Sequence, residues 1–128
     1  MLKKLLGRTR PYKVLAYLYD LYVKHEAEAF TPRSFAHYGK GAEVSERVMI
    51  SDPGRVWVGD WSKIYGGTLI NSMGGLHIGK HVGIGFGCTI LTFIHSYRNA
   101  GAIPFDNRVM LKPVIIRDFA WIGWNTQI

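Results

Sequence analysis

The sequence predicts an all-β solenoid with an N-terminal α-helix and one long extruded loop. Three observations carry this. Ile78, Ile84 and Ile90 fall six residues apart in LHIGKHVGIGFGCTI, glycine follows the first two, and Leu76, Val82 and Cys88 form a second series of the same period. A helix returns its apolar residues at three or four and a half-buried strand at two, so six describes a short strand, a turn and another strand around a coil. The period then breaks for 26 residues between Ile90 and Ile116 and resumes. Before it begins, residues 11–29 show helical spacing.

At 128 residues the chain is one domain by length, and 48% apolar content suffices for a core. No apolar stretch is long enough to cross a membrane, and MLKKLLGRTRPYK lacks the features of a signal peptide. Cys88 is the only cysteine, so no internal disulfide forms, in keeping with a reducing, cytoplasmic setting. The net charge of +7 is uneven: residues 1–40 hold eight Lys or Arg against three acids, and the first thirteen hold five against none. That excess suits anionic lipid, at the inner face of a membrane, or a phosphate-bearing ligand. No nucleic-acid motif accompanies it, and no nucleic-acid partner is expected.

Residues 1–37 form a basic helical segment and connector. Pro11 suits a first helical position, with Thr9 as a possible cap. Val14, Leu15, Leu18, Leu21 and Tyr22 share an apolar face, widened by the other tyrosines, which is expected to pack on the rest of the protein. Phe30 to Lys40 is a connector punctuated by Pro32 and Gly39.

Residues 38–128 form the coil. Its inward positions come in threes: Tyr38, Val44, Ile50; Val58, Ile64, Ile70; Ile78, Ile84, Ile90; Ile116, Ile122, Ile128. Three hexads make an eighteen-residue triangular turn, and the first three groups start twenty apart because two residues enter near Pro53-Gly54 and again near Gly74-Gly75. Two residues before the inward positions stand small or β-branched residues such as Val48, Val56, Ser62, Thr68, Val82, Ala120 and Thr126, as a tight interior beside a corner requires. Trp57, Trp61 and Trp124 fall beside inward positions or at corners, facing a neighbouring subunit or the N-terminal helix.

The loop, residues 91–113, is the candidate functional segment, because long excursions from a rigid scaffold carry function disproportionately. His95 stands at its mouth. An imidazole with an ordinary pKa of about 6.5 can take a proton from a hydroxyl near neutral pH and return it to a leaving group. Tyr97, Arg98, Asp106, Asn107 and Arg108 have the hydrogen-bonding capacity to hold a sugar or a phosphate. The H-x₃-H pair His77 and His81 suits metal only on a helix, which this stretch is not, and no metal is expected.

The hexads, with ILTFIH at 90–95 and KPVIIRDFAWIG at 112–123, resemble the hexapeptide-repeat acyltransferases, closest in look to those acetylating sugars and polysaccharides. The resemblance covers about residues 38–128 and implies a left-handed parallel β-helix, although parallel crossovers are right-handed in about 98% of cases. It implies transfer of an acetyl group from acetyl-coenzyme A to a hydroxyl of a sugar or surface-polysaccharide precursor. His95 matches the general base, and Trp121 the tryptophan near the acyl-donor tunnel. It also implies a homotrimer with catalytic sites between subunits. Several sugar acetyltransferases carry an asparagine one coil before the histidine; Gly67 stands there, and Asn71 is out of phase. Family members continue past WIG with further coils that complete the coenzyme A site, so a truncated reading frame or partial sequence is expected, its product poorly soluble or inactive because it cannot bind acetyl-coenzyme A tightly. The alternative is a non-catalytic β-helical scaffold or a membrane- or partner-associated module.

Overall fold

The structure, a computed structural model, describes residues 11–28 and 30–128. Thr9, the basic residues before Pro11, and Ala29 lie outside them.

Two- and three-residue strands stack in register to build three parallel walls. The first holds His37–Tyr38, Val56–Val58, Leu76–Ile78 and Val114–Ile116. The second holds Glu43–Val44, Lys63–Ile64, Gly83–Ile84 and Trp121–Ile122. The third holds Met49–Ile50, Leu69–Asn71 and Thr89–Leu91, with Gln127 bridging to Thr89. Isoleucines pair with isoleucines up each wall: Ile64 with Ile84 and Ile84 with Ile122, Ile70 with Ile90, Ile78 with Ile116.

Alternation within these short strands decides what is inside. Val56 and Val58 are fully buried while Trp57 between them points out, and Leu76 and Ile78 flank an outward His77 in the same way. Ile64, Ile70, Ile78, Ile84 and Ile90 have no exposed surface. Buried hydroxyls beside the corners carry the polar work there. Ser62 Oγ donates to the Gly79 carbonyl at 2.6 Å and accepts from Val82 N at 3.0 Å. Thr92 Oγ1 does the same for Asn71 O and Gly74 N, both at 2.8 Å. Each buried hydroxyl is thereby satisfied, which removes the cost of sealing it in the prism.

The two inserted pairs sit at one corner. Asp52 caps a 3₁₀ turn at Pro53–Arg55, accepting from Gly54 N at 3.1 Å, and a turn through Met73 to Gly75 takes the equivalent place one coil on. Gly59 is required where coils approach most closely: a Cβ there would strike the Gly79 carbonyl of the next coil.

Four inward assignments differ from expectation in degree. Tyr38, Val44 and Ile122 are half-buried, and Ile128 is 43% exposed, because these residues lie in the first and last coils and have a neighbour on one side only. At the other end, Phe30, Phe35 and Tyr38 form an aromatic plug, with ring centroids 6.3 and 5.2 Å apart. The connector thus closes the prism.

The helix spans Pro11–Glu28, but its apolar face does not pack on the coil as the sequence suggested. Leu15, Leu18, Leu21 and Tyr22 are 46% to 68% exposed, and only Val14 among the expected face is half-buried. Hexad side chains point into the prism and the aromatic plug closes its end, so the core needs no helix to cover it. The helix meets the coil through an exposed ion pair, Arg47 to Asp20 at 2.9 Å, of the kind that adds little stability.

Candidate active site

The excursion after Leu91 opens as an antiparallel ribbon, Phe93–His95 against Val109–Leu111, with His95 opposite Val109. It leaves the prism at the corner between the third and first walls. Residues 93 and 95 share a face of the ribbon and Ile94 takes the other, as period two requires. His95 is half-buried between two aromatic rings. Phe93 meets it edge-on at 5.7 Å, and Phe105 stacks on it at 4.2 Å with ring planes 23° apart. Stacking fixes the plane of the imidazole without using its in-plane nitrogens. Nδ1 is buried and has no hydrogen-bond partner among the described residues.

Phe105 is delivered by a tightly tied loop tip. Asp106 accepts from Gly101 N at 3.0 Å, from Arg108 N at 2.9 Å and from Arg108 Nε at 2.7 Å, while Arg108 Nη2 reaches the Asn99 carbonyl. The Arg108 side chain, with the two backbone donors, holds the Asp106 carboxyl well below the usual carboxylate range. Two of the expected sugar contacts are therefore engaged with each other and with the loop backbone, shaping the site rather than reaching freely from it. Tyr97 lines a different groove of about 700 Å³ with Leu91, Phe93, Ile94, Met110 and Ile128, which His95 does not border. Asn107 is exposed at the tip. Asn71 turns its Oδ1 to Met73 N at 3.3 Å and takes no part.

A carboxylate whose folded pKa lies below the ordinary 3.8 stabilises the folded loop fully above that value and loses the contribution as pH falls towards the lower folded pKa. The tie is thus intact from pH 5 upward. Arg108→Ala is expected to release it and speed carbethoxylation of His95 by diethyl pyrocarbonate roughly fivefold or more, as local opening becomes easier. Peptide mapping separates His95 from the other histidines. An unchanged rate at His95 would show that the tie does not hold the clamp.

Trp121 stands on the outside of the second wall, 68% exposed, and borders an apolar cleft of about 490 Å³ with Tyr65, Phe86 and Trp124. Its indole lies over Gly83 of the coil below, where a Cβ would come within 2.7 Å of Cε3. Glycine at 83 makes the floor on which the ring rests. In a triangular prism the second wall is opposite the corner where the ribbon leaves, so one chain does not bring Trp121 and His95 together. Gly83→Val is expected to displace the indole, because the added side chain would strike its ring, and so to change the near-ultraviolet circular dichroism spectrum. An unchanged spectrum would show that Gly83 is not the floor of the ring.

The sequence reading missed Phe93 and Phe105 beside His95, and Tyr65 and Phe86 beside Trp121. Phe93 was available from period two. Phe86 and Trp124 stand 38 residues apart, the spacing of Ile84 and Ile122, so register alone stacks them. Phe105 left no such trace. Among the described residues no three His, Cys, Asp or Glu gather as a metal site. His77 stacks on Trp57 at 5.6 Å and His81 on Phe119 at 5.4 Å.

No family model and no curated protein matches the chain. Among solved structures it is similar to the crystal structure of the hexapeptide-repeat containing acetyltransferase VCA0836 from Vibrio cholerae, with a TM-score of 0.68 and 28% identity. The match covers 80% of this chain and 57% of that one. Its fold is that of the hexapeptide-repeat acyltransferases, a left-handed parallel β-helix. The chain spans little more than half the length of that acetyltransferase. In these hexapeptide-repeat terms, the ribbon bearing His95 interrupts the third coil just after its last strand, and Trp121 belongs to the fourth.

Proposed function

We propose that this hexapeptide-repeat chain is an O-acetyltransferase that moves an acetyl group from acetyl-coenzyme A to a hydroxyl of a sugar or surface-polysaccharide precursor. One observation carries the reading: His95 is held by two aromatic rings on a ribbon at the edge of the prism, its plane fixed and its in-plane nitrogens unspent. The imidazole removes the acceptor hydroxyl proton, and the oxygen attacks the thioester carbonyl. The tetrahedral intermediate collapses with cleavage of the C–S bond, and the imidazolium returns its proton to the departing thiolate. Backbone amides along the coil edge steady the oxyanion.

One feature supports a homotrimer with shared sites. The aromatic cleft at Trp121 lies across the prism from His95, so a neighbouring chain is needed to bring one up to the other. With Nδ1 sealed among its own chain's residues, Nε2 is the nitrogen left to act as the base. The cleft's flat apolar walls suit the donor, and Asn107 and the backbone of the loop tip are placed to meet the acceptor.

The test is release of coenzyme A thiol from acetyl-coenzyme A in the presence of a panel of sugars and amino sugars, followed by hydroxylamine treatment of the product. An ester product, cleaved by hydroxylamine, is expected. A hydroxylamine-stable amide would replace the hydroxyl acceptor with an amine. Absence of transfer to every acceptor would favour a non-catalytic β-helical scaffold.

A further inference from the structure

The helix Pro11–Glu28 is turned the unusual way round. Between Tyr12 and Val23 its only charged residues are Lys13 and Asp20, which at 100° per residue lie within about 20° of each other on one narrow stripe. That stripe faces the coil, because Asp20 is the residue that pairs with Arg47. The rest of the circumference carries Leu15, Leu18, Tyr19 and Tyr22, all between 55% and 68% exposed. An amphipathic helix serving only its own domain would place these residues inward and the charges outward. Immediately before it the sequence supplies Lys3, Lys4, Arg8 and Arg10, with Lys13 making five basic residues and no acid in the first thirteen.

We infer that this helix is a docking surface for an anionic lipid bilayer. Leucines insert among the acyl chains at the headgroup boundary, and tyrosines suit that boundary because the ring is apolar and the hydroxyl is not. The basic run supplies the attraction to acidic headgroups, which acts within about one Debye length of the surface. At 1.5 Å per residue the twelve residues from Tyr12 to Val23 lie about 18 Å along the surface. They lie on it rather than through it, since among the described residues no helix is long and apolar enough to cross a membrane. A second copy of the helix is a poorer occupant, because pairing would set two uncompensated basic runs side by side.

The experiment floats the full chain with phosphatidylcholine vesicles, with and without phosphatidylglycerol, alongside two variants. One is Leu18→Glu with Tyr22→Glu, and the other is Lys3→Ser with Lys4→Ser and Arg8→Ser. An unchanged strand signal in circular dichroism checks that each variant keeps the prism. Flotation with anionic vesicles is expected, falling about 100-fold in affinity for the triple variant and declining with salt. The glutamate variant should not float. Equal binding to both vesicle types, or binding untouched by either variant, would overturn the inference. So would absence of flotation together with a concentration-dependent oligomer that Leu18→Glu abolishes, which assigns the face to a second copy. None of these outcomes depends on acetyl transfer.

Discussion

Replacement of His95 by alanine is expected to lower kcat for acetyl transfer by about 10²- to 10⁴-fold, the usual worth of a positioned general base. KM for acetyl-coenzyme A should change little, because the proposed donor cleft is lined by Tyr65, Phe86, Trp121 and Trp124 and not by His95. The coil should be undisturbed, since the ribbon that carries His95 pairs only with its own second strand. His95→Gln separates basicity from shape: glutamine fills much of the same slot between Phe93 and Phe105 but takes no proton. It should be as slow as alanine. Steady-state rates of thiol release measure both variants, and equal turnover by His95→Ala and the parent chain would remove His95 as the base.

The largest effect on stability is expected at Ile84. It is fully buried, with Ile64 in register on one side and Ile122 on the other, so both neighbouring coils pack on it. Ile84→Ala should cost about 2–5 kcal/mol, combining lost transfer energy with a cavity that rigid short strands cannot collapse. A whole domain is typically stable by only about 5–15 kcal/mol, so this is a large share of the total. Because a solenoid repeat touches only its neighbours, the damage passes to the coils above and below and no further. Ile115→Ala is the control. The same residue type on the outward side of its strand, 66% exposed, should shift stability by no more than about 0.5 kcal/mol. Denaturant midpoints at constant slope read both, and a similar loss at the two positions would contradict the inward register.

How much of this could be read from the chain differs by kind of contact. The isoleucine ladders were legible because a parallel coil repeats the same local problem, so spacing alone puts Ile64 beneath Ile84. The half-buried Val44 and the exposed Ile128 show the limit of that logic, since periodicity describes a position's direction and not what lies beyond it. The direction of the helix was not legible. Its pattern showed an apolar face, but Arg47, which pairs with Asp20 and turns the charged stripe towards the coil, is 27 residues away. The stack of Phe105 on His95 was hidden for a related reason. It exists because Asp106 gathers Gly101 and Arg108 while Arg108 reaches Asn99, and no period marks such a knot. His95 itself was found by its place at the break in the repeat. The cleft at Trp121 needed the 38-residue register to be seen as a group.

That register has a consequence of its own. Val114–Ile116 lies on Leu76–Ile78 residue for residue, as though the excursion between them had never occurred. The ribbon and its tip are therefore a graft on a scaffold that closes without them. Lengthening, shortening or exchanging the segment need not disturb the ladders, so the loop can drift in descendants of such a chain while the prism stays under its own separate selection. A designer could exploit the same seam, trading one tip for another between Thr92 and Lys112 without redesigning a single coil.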